Sequence, residues 1–379
     1  MINGFYAFLL LTITYSGQSL GAQVSVTAGY GYDSNPFKIP DKEAPNIGSD
    51  YKTFKVKYQS EKQAGKKTKK PKLRYRFELR KDIYGQGSSD ADSSTIRGRL
   101  DWTERFKIGD RKASVNLGAH LRREDNTYYS QTQRQVAETR EGDLIDARRS
   151  FDSAELRVEL KYYLNKKISW SVSSKIGQRN YHQDYENIGL ERLDFNEFRI
   201  QPGIRYKGDS GLTTRIFVYQ GSRNYKGVLN ESNDQSSLLT YSLNGYGVAL
   251  SKAINTHIDG SIYLSGYLAR DNGKGIRDLN YHKLIADLSY QLARKAKVSL
   301  KTEAYWKHYI NSQQPVINSN AGKYSSSRDG AVVKFVYSRP VFSDSFRGSI
   351  TLQRRYENNE IVSLCYQREI LTFGLQYQL

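Results

Sequence analysis

The sequence is poor in several residue types that common folds depend on, because its 379 residues include one cysteine, one methionine and seven prolines. The lone Cys365 excludes a disulfide scaffold and a zinc site built from cysteines. Beyond the N-terminus, no apolar run reaches the about 20 residues that a transmembrane helix needs, which excludes a polytopic helical membrane protein. Acidic residues are scarce too, with 39 Asp+Glu against 58 Lys+Arg and a formal net charge of +19.

Tyrosine and glycine, by contrast, are abundant. The chain has 30 of each, and the tyrosines argue against disorder because disordered segments contain few aromatic residues. Mean hydropathy is nevertheless −0.69. A folded chain of this composition must keep its basic residues in contact with water, either on its outside or in a wet interior.

The N-terminal residues predict export. An apolar stretch runs from Phe5 to Ile13, and a polar segment that ends in Leu20-Gly21-Ala22 follows it. This order is typical of a secretory signal peptide. It predicts a signal peptide over residues 1–22 and a single mature domain over residues 23–379. No Lys or Arg precedes the apolar stretch, and a short buried or anchoring helix is the alternative interpretation.

From Gln23 onward, apolar and polar residues alternate with the period of a β-strand. In one such segment the two alternating sets are Leu73, Tyr75, Phe77 and Leu79 against Arg74, Arg76, Glu78 and Arg80. Residues 198–207, 258–270 and 346–356 alternate in the same way. These segments run for about ten to fifteen residues, well beyond the five or six of an average globular strand.

The connections between the segments alternate in length. Tight turns are expected at residues 109–110, 165–166, 208–211, 252–255 and 294–295, and long polar loops at 125–150, 182–191, 227–235 and 311–327. Short turns on one side and long loops on the other are typical of an outer-membrane barrel. We therefore predict an all-β fold, a single transmembrane antiparallel barrel of about sixteen strands, with fourteen to eighteen possible. Two features depart from the pattern: a long turn at residues 61–72 and Pro202, which requires an irregular ladder.

The C-terminal segment alternates up to its last residue. Gly374, Tyr377 and Leu379 lie in a pattern that resembles the C-terminal signal read by the barrel assembly machinery. That signal usually ends in Phe or Trp, so the terminal leucine is a departure. The pattern, together with the signal peptide, predicts a location in the bacterial outer membrane.

If the apolar set faces lipid, the basic residues lie on the other face, which would line the lumen. The arginines expected to set the selectivity of a substrate path there are Arg74, Arg76, Arg97, Arg99, Arg199, Arg205, Arg347 and Arg355. Bases outnumber acids on this face, and rings of positive charge concentrate anions. Two alternatives remain: the lumen charges pair with one another, or loop bases contact lipopolysaccharide phosphates.

A short repeat, Gly-x-Arg-Asn-Tyr, occurs at residues 177–181 and 221–225. In both copies the arginine and the tyrosine share the inward set, so Arg179, Tyr181, Arg223 and Tyr225 are predicted to line the outer rim of the lumen. A guanidinium binds carboxylate or phosphate, and a tyrosine offers a flat face and a hydroxyl, a combination suited to acidic sugars. The alternative is that each tyrosine fills the gap left by a glycine on the next strand and fixes the register.

Catalytic chemistry finds little support. Gly208-Asp209-Ser210-Gly211 looks like a serine-protease nucleophile motif, but these are also ordinary turn residues and fall on a predicted turn. The five histidines are scattered without metal-ligand spacing. His182, followed by Asp184 and Glu186, is the one group that resembles the site of a rim enzyme, and loop polarity explains it equally well. No catalytic residue, metal or cofactor is predicted, and export argues against nucleic acid.

The segment from Ala28 to Ile39 contains Tyr32-Asp33-Ser34-Asn35-Pro36-Phe37. It resembles the opening of a class of Gram-negative barrels whose first strand ends in Tyr-Asp-x-Asn-x-Phe. The class includes beta-barrel porin 2 type proteins, which occur with exopolysaccharide export systems, and the barrel domains of surface lipoprotein assembly modifiers. The latter carry a helical repeat domain before the barrel, which is absent ahead of Tyr32 here. The resemblance implies a porin-like or polysaccharide-export channel.

The sequence thus predicts a channel with a basic lumen that passes an anionic saccharide, an exopolysaccharide or another anionic solute. The expected partners are outer-membrane lipid and lipopolysaccharide, the barrel assembly machinery, and an anionic polysaccharide with its export apparatus. A second hypothesis is a non-conducting surface or assembly barrel that binds partners through its long loops. A third is a rim hydrolase.

Overall fold

The structure, a computed structural model, describes residues 22–36, 48–63, 71–85, 91–126, 129–130, 135–136, 150–182, 192–230, 237–272, 278–310, 327–359 and 365–378. Sixteen of its strands form one closed antiparallel barrel, in which each strand pairs with its neighbours in the chain and the first strand pairs with the last. The sequence-based prediction of about sixteen strands is confirmed. Within the described ranges, no helix is both long and apolar enough to cross a bilayer.

The strands are long, as the alternation predicts. The first half of the barrel consists of β1 (Gln23–Asp33), β2 (Ser49–Gln63), β3 (Lys72–Tyr84), β4 (Ser93–Ile108), β5 (Arg111–Asn126), β8 (Phe151–Tyr163), β9 (Ile168–Tyr181) and β10 (Arg192–Lys207). The second half consists of β11 (Thr213–Asn230), β12 (Ser237–Ala253), β13 (Ile258–Asp271), β14 (Leu279–Gln291), β15 (Lys297–Tyr309), β16 (Arg328–Pro340), β17 (Phe346–Asn359) and β18 (Tyr366–Gln378). The two-residue strands β6 (Tyr129–Ser130) and β7 (Gln135–Val136) pair only with each other.

The two ends of the barrel differ in their connections. The end that holds both termini, called the turn end below, has the short connections 109–110, 164–167, 208–212, 254–257, 292–296 and 341–345, and one longer connection at 64–71. The opposite end, called the loop end, has connections that include 34–48, 127–150 and 310–327. Arg294 and Lys295 have φ values of 55° and 60°, the left-handed conformation that tight hairpin connections often require.

Several local expectations can now be compared with the structure. Residues 208–211 form a turn, closed by a 2.8 Å bond from the Gly208 amide to the Leu212 carbonyl. Residues 227–230, expected in a loop, extend β11, and the expected turn at 61–72 is shortened because β2 continues to Gln63. Pro202 pairs with Val172 of β9. The ladder to β11 has no partners for positions 201 and 202, as the missing proline donor requires.

Alternate residues of each strand face opposite sides of the barrel wall. The outward face is apolar and exposed, as at Leu156, Ile176 and Val218, which are 64%, 61% and 56% exposed. Exposed aromatic residues lie toward both ends of this face, with Trp170, Tyr206 and Tyr290 near the turn end and Tyr30, Trp306 and Tyr356 near the loop end. The inward face carries most of the charged residues of the strands, so the two faces differ in chemistry.

Candidate functional site in the barrel interior

All eight arginines predicted to line the lumen lie on the inward face. Arg74 and Arg76 are on β3, Arg97 and Arg99 on β4, Arg199 and Arg205 on β10, and Arg347 and Arg355 on β17. The register brings the β3 and β4 residues together, with Arg76 directly opposite Arg99. The β10 and β17 pairs lie elsewhere around the wall. The arginines are therefore distributed around the interior and do not form one cluster.

Most interior acids have an ion-pair partner among the arginines and lysines of the inward face. Glu78 is bound by Lys55 at 3.1 Å and lies 3.8 Å from Arg97, and Arg99 binds Asp101 at 2.8 Å. The other interior acids with a basic partner are Asp33, Glu61, Asp82, Glu124, Glu155, Glu159, Glu197, Glu303 and Glu357. The pair that spans the largest number of strands joins Arg215 of β11 to Glu159 of β8. The pairs among described residues thus follow the wall rather than cross to its opposite side.

Glu197 on β10 is the centre of the largest of these groups. Arg223 binds it through Nε at 3.1 Å and a terminal nitrogen at 2.7 Å, and Lys175 and Arg199 each lie 3.2 Å away. The carboxylate is 6% exposed. Lys175 also binds Glu155 at 3.0 Å, so two acids hold three bases, which leaves a local excess of one positive charge on the wall.

Among the described interior residues, more bases than acids lack an ion-pair partner. Within the described residues, Arg76, Arg105, Arg205, Lys301 and Lys334 have no ion pair, whereas the unpaired interior acids are Asp259 and Asp287. Lys301 lies directly opposite Lys334 in the β15–β16 ladder, and Arg80 of β3 acts electrostatically on Lys334 as well. Lys301 and Lys334 help to line a cavity of about 610 Å³ near the turn end.

The two copies of the Gly-x-Arg-Asn-Tyr repeat lie at the loop end of β9 and β11, and both arginines stack on phenylalanine rings. The resulting series is called the arginine–phenylalanine ladder and consists of Arg122, Phe151, Arg179, Phe195 and Arg223. The guanidinium of Arg179 lies 4.2 Å from the Phe151 centroid and 5.2 Å from the Phe195 centroid. Arg122 is 5.3 Å from Phe151, and Arg223 is 4.6 Å from Phe195.

The tyrosines of the repeat extend this ladder. Tyr181 packs on Phe151 at 5.8 Å, and Tyr225 packs on Phe195 at 5.5 Å. The cross-strand partners of Tyr181 on β8 and of Tyr225 on β10 are these phenylalanines and not glycines. The alternative in which each tyrosine fills a glycine gap on the next strand is therefore wrong for these two contacts.

A second aromatic region begins where the ladder ends, since the ring of Tyr225 lies 6.1 Å from that of Tyr241. It is called the tyrosine wall and runs from β11 to β15, with Tyr219, Tyr241, Tyr263, Tyr267, Tyr281, Tyr305 and Tyr309. Tyr267 and Tyr281 are 5.1 Å apart, and Tyr281 and Tyr305 are 6.4 Å apart. In the strand order β14 lies opposite β4, so the tyrosine wall faces the arginines of β3 and β4.

Glycines leave the space that several rings in this region occupy. A Cβ atom on Gly245 would lie 2.3 Å from the Tyr219 ring, one on Gly247 2.2 Å from the Phe217 ring, and one on Gly330 2.3 Å from the Tyr305 ring. Each glycine is the direct cross-strand partner of its ring. The rings therefore lie along the wall, and the glycine-gap device predicted for the repeat operates here instead.

The sequence motif after the first strand also has a defined place. Asp33, at the end of β1, is fully buried, and Arg368 of β18 binds both of its carboxylate oxygens. The hydroxyl of Tyr84 donates to Asp33 at 3.0 Å, and the Asn35 side chain donates to the Gln367 carbonyl at 3.1 Å. The motif thus joins the first and last strands at the loop end, and Phe37 lies outside the described residues.

The C-terminal residues predicted as an assembly signal lie on the same closing strand. Gly374 of β18 is the partner of Gly29 on β1 and lies on the inward face. Tyr377 faces outward and packs on Phe346 at 4.5 Å. Leu379 lies outside the described residues, and the role of the three residues in assembly stays a prediction.

The histidine singled out as a rim group has acidic neighbours, although not the predicted ones. His182 Nδ1 lies 3.2 Å from Asp125 and Nε2 lies 3.4 Å from Asp152. Asp184 and Glu186 fall outside the described residues. Within the described part of the chain, no group of three or more His, Cys, Asp or Glu is arranged to hold a metal ion.

Sequence reasoning missed the partners that organise the site. Phe151, Phe195 and Glu197 were not singled out, although each shares the inward parity of the arginine that it contacts. A search for aromatic residues near the loop ends of the strands next to each repeat would have found the two phenylalanines. Glu197 carries no comparable signal, because its role depends on three strands meeting in one register.

Comparisons with solved structures find chains that resemble this one over nearly their whole length. The chain is similar to OccAB4 of Acinetobacter baumannii, with 8% identity, a TM-score of 0.42, and 96% of this chain and 99% of that chain covered. It is similar to an anion-selective porin from Comamonas acidovorans, with 10% identity, a TM-score of 0.43, and coverage of 94% and 98%. A third similar structure is a bacterial polysaccharide outer membrane secretin, with 9% identity, a TM-score of 0.42, and coverage of 94% and 98%.

Sequence comparisons add nothing to these likenesses. No family model matches the sequence, and no curated protein matches it either. The resemblance to the beta-barrel porin 2 type therefore stays a prediction. At the identities and TM-scores of the three structures, the function of this chain has to be argued from its own residues.

Proposed function

We propose that this protein is an outer-membrane channel that passes anionic solutes, with anionic saccharides as its favoured cargo. Its location is supported by the outward face, which is apolar around the barrel with aromatic residues toward both ends. That arrangement matches the lipid-facing belt and aromatic girdles of membrane barrels. An arginine facing lipid at the midplane costs about 2–4 kcal/mol, which explains why the bases are placed inside.

The observation that carries the proposal is the imbalance left after pairing. Nearly all described interior acids have a basic partner, while Arg76, Arg105, Arg205, Lys301 and Lys334 have no ion pair with described residues. Uncompensated positive charge in a low-dielectric tube attracts anions and repels cations. Arg74, Arg97, Arg99, Arg199 and Arg355 are paired, so we assign them a structural role in the wall and expect Arg76 and Arg205 to dominate selectivity among the predicted arginines. Arg347 donates to the Lys295 carbonyl.

The preference for saccharides is supported by the opposite wall. Tyr267 and Tyr281 present neighbouring rings across from the arginines of β3 and β4. Tyrosine combines an apolar face, which packs on the C–H face of a sugar ring, with a hydroxyl that hydrogen-bonds. A chain of acidic sugars would thus find stacking surfaces on one side and cations on the other. Lipopolysaccharide, the barrel assembly machinery and an export apparatus are the partners that this role implies.

Planar-bilayer recording in a salt gradient tests the proposal. We expect a reversal potential on the anion side for the full chain. Replacing Arg205, Lys301 and Lys334 together by glutamine should move it toward the cation side. The control replaces Lys167 and Lys295 of the turns by glutamine; these lysines bind Asp209 and Asp344, and the potential should stay unchanged. A cation-selective or non-conducting wild-type barrel would overturn the proposal.

A further inference from the structure

Within the described ranges, Arg179 is the member of the arginine–phenylalanine ladder whose guanidinium has no hydrogen-bond acceptor. Its guanidinium lies against Phe151 and Phe195, but it makes no hydrogen bond or ion pair with any described residue. Its Nε is buried. Arg223, in the second copy of the repeat, differs because Glu197 occupies its donors. The two arginines share a motif but are chemically in different states.

Stacking on two rings leaves the edge of a guanidinium available. Aromatic contacts restrict the plane of the group but use none of its five N–H donors. A guanidinium held in this way loses little side-chain entropy when a ligand binds, and its fork matches the geometry of a carboxylate or phosphate. A buried donor without an acceptor is costly, by about 1–3 kcal/mol per group. An oxyanion bound at this edge would remove that cost.

The residues beside Arg179 reinforce the site. In the ladder of β4, β5, β8 and β9, Arg97, Arg122, Ser153 and Arg179 are consecutive cross-strand partners on the inward face. Arg97 and Arg179 both repel Arg122 electrostatically, and the Nε of Arg122 is likewise buried without an acceptor among described residues. Ser153 is small and has no hydrogen bond with a described residue, so it leaves space and a hydroxyl donor between the two arginines.

We propose that Arg179, Ser153 and Arg122 form a binding site at the loop end for one oxyanion group, carboxylate or phosphate, of a solute that enters the barrel. The inference rests on the proposed channel function and adds to it a discrete site of entry or exit. Glu124 on Arg122 and Glu78 on Arg97 partly compensate those two arginines, whereas Arg179 has no acidic partner among described residues. Arg179 is therefore the residue on which binding depends.

Calorimetric titration of the detergent-solubilised full chain with inorganic phosphate, and separately with galacturonate, tests the site without requiring conductance. We expect saturable binding of at least one probe, and Arg179→Gln should weaken it by about tenfold or more. Arg179→Lys keeps the charge but removes the fork, and we expect it to recover only part of the affinity. Arg215→Gln removes an interior charge that is paired with Glu159 and should bind as the wild type does.

The outcomes separate the site from the channel. Absence of binding by the wild type, or an equal loss in Arg179→Gln and Arg215→Gln, would overturn the site and leave the bilayer result standing. Arginine-dependent binding by a barrel that conducts no ions would support the site and remove the channel proposal. Heat-modified mobility on gels confirms that each variant is folded, and Arg179→Lys keeps the test decisive if Arg179→Gln does not fold.

Discussion

Arg368 on the last strand binds Asp33 on the first, with its Nε 3.0 Å from both carboxylate oxygens. The carboxylate is fully buried, and the guanidinium is 14% exposed. These two residues are 335 positions apart in the chain, and their contact exists only when the barrel is closed. This buried ion pair therefore joins β1 to β18 at the seam where the barrel closes.

This ion pair predicts a large loss of stability when one partner is removed. Arg368→Gln leaves the Asp33 carboxylate buried without its cation, which should destabilise the barrel by about 3–5 kcal/mol. Thermal unfolding followed by circular dichroism, or the temperature of the folded-to-unfolded gel shift, measures the effect. The control is Arg354→Gln, which breaks the exposed Arg354–Glu369 pair between β17 and β18 and should cost less than about 1 kcal/mol. Equal losses in the two variants would refute the role of the ion pair.

Glu197→Gln should lower the stability of the barrel and increase its selectivity for anions. Loss of the carboxylate leaves Lys175, Arg199 and Arg223 close together without their shared acid, which should cost about 3 kcal/mol. The same change makes the interior more positive, so the reversal potential in a salt gradient should move further to the anion side. Asp209→Asn also removes one negative charge, but from an exposed turn, and should affect neither measurement. A shift toward cations in Glu197→Gln would contradict the proposed origin of selectivity.

Gly247→Ala should destabilise the barrel because its Cβ would lie 2.2 Å from the Phe217 ring. Overpacking of this kind costs about 1–3 kcal/mol. Gly98→Ala is the matched control, since a Cβ there meets no atom within 4 Å. In a Phe217→Ala background the same Gly247→Ala change should cost little, and an equal cost in both backgrounds would show that the ring is not the cause. Equilibrium unfolding in denaturant measures all of these variants.

Tyr281→Ala should weaken the binding of acidic oligosaccharides and leave simple ion selectivity unchanged. Its ring lies 5.1 Å from Tyr267 on the tyrosine wall, and loss of one stacking surface is worth about 1 kcal/mol, or about fivefold in affinity. Block of the ionic current by oligogalacturonate measures this. Tyr290→Ala, on the outward face, is the control. If both variants were blocked as strongly as the wild type, the saccharide part of the proposed function would fail.

Strand number and the assignment of residues to the two faces could be predicted from sequence because both depend on local alternation. Arg74, Arg76 and Arg205 lie on the predicted face. If a strand presented its other face to the lumen, a whole row of charges would be exposed to lipid. Turn positions such as 109–110 were equally local. These features needed no knowledge of which strand follows which in space.

The partners of individual side chains could not be predicted, because they depend on the register between strands. Arg179 was expected beside Tyr181, but its nearest rings are Phe151 of β8 and Phe195 of β10. Likewise, the motif that contains Asp33 gave no sign of its partner, Arg368, which lies near the other end of the chain. A shift of one strand by two residues would change each of these contacts and leave the alternation pattern intact.

That ambiguity gives a further consequence to Gly245 and Gly247 of β12, which are two residues apart on the same face. A slip of one residue between β11 and β12 turns charged side chains toward lipid and is rejected by the bilayer. A slip of two residues keeps every side chain on its own face, so hydropathy cannot detect it. Such a slip would place either Phe217 on Ala249 or Tyr219 on Leu243, because only positions 245 and 247 lack side chains there. The two rings and two glycines therefore select the register of this hairpin during assembly, because they exclude two-residue slips that the bilayer does not exclude.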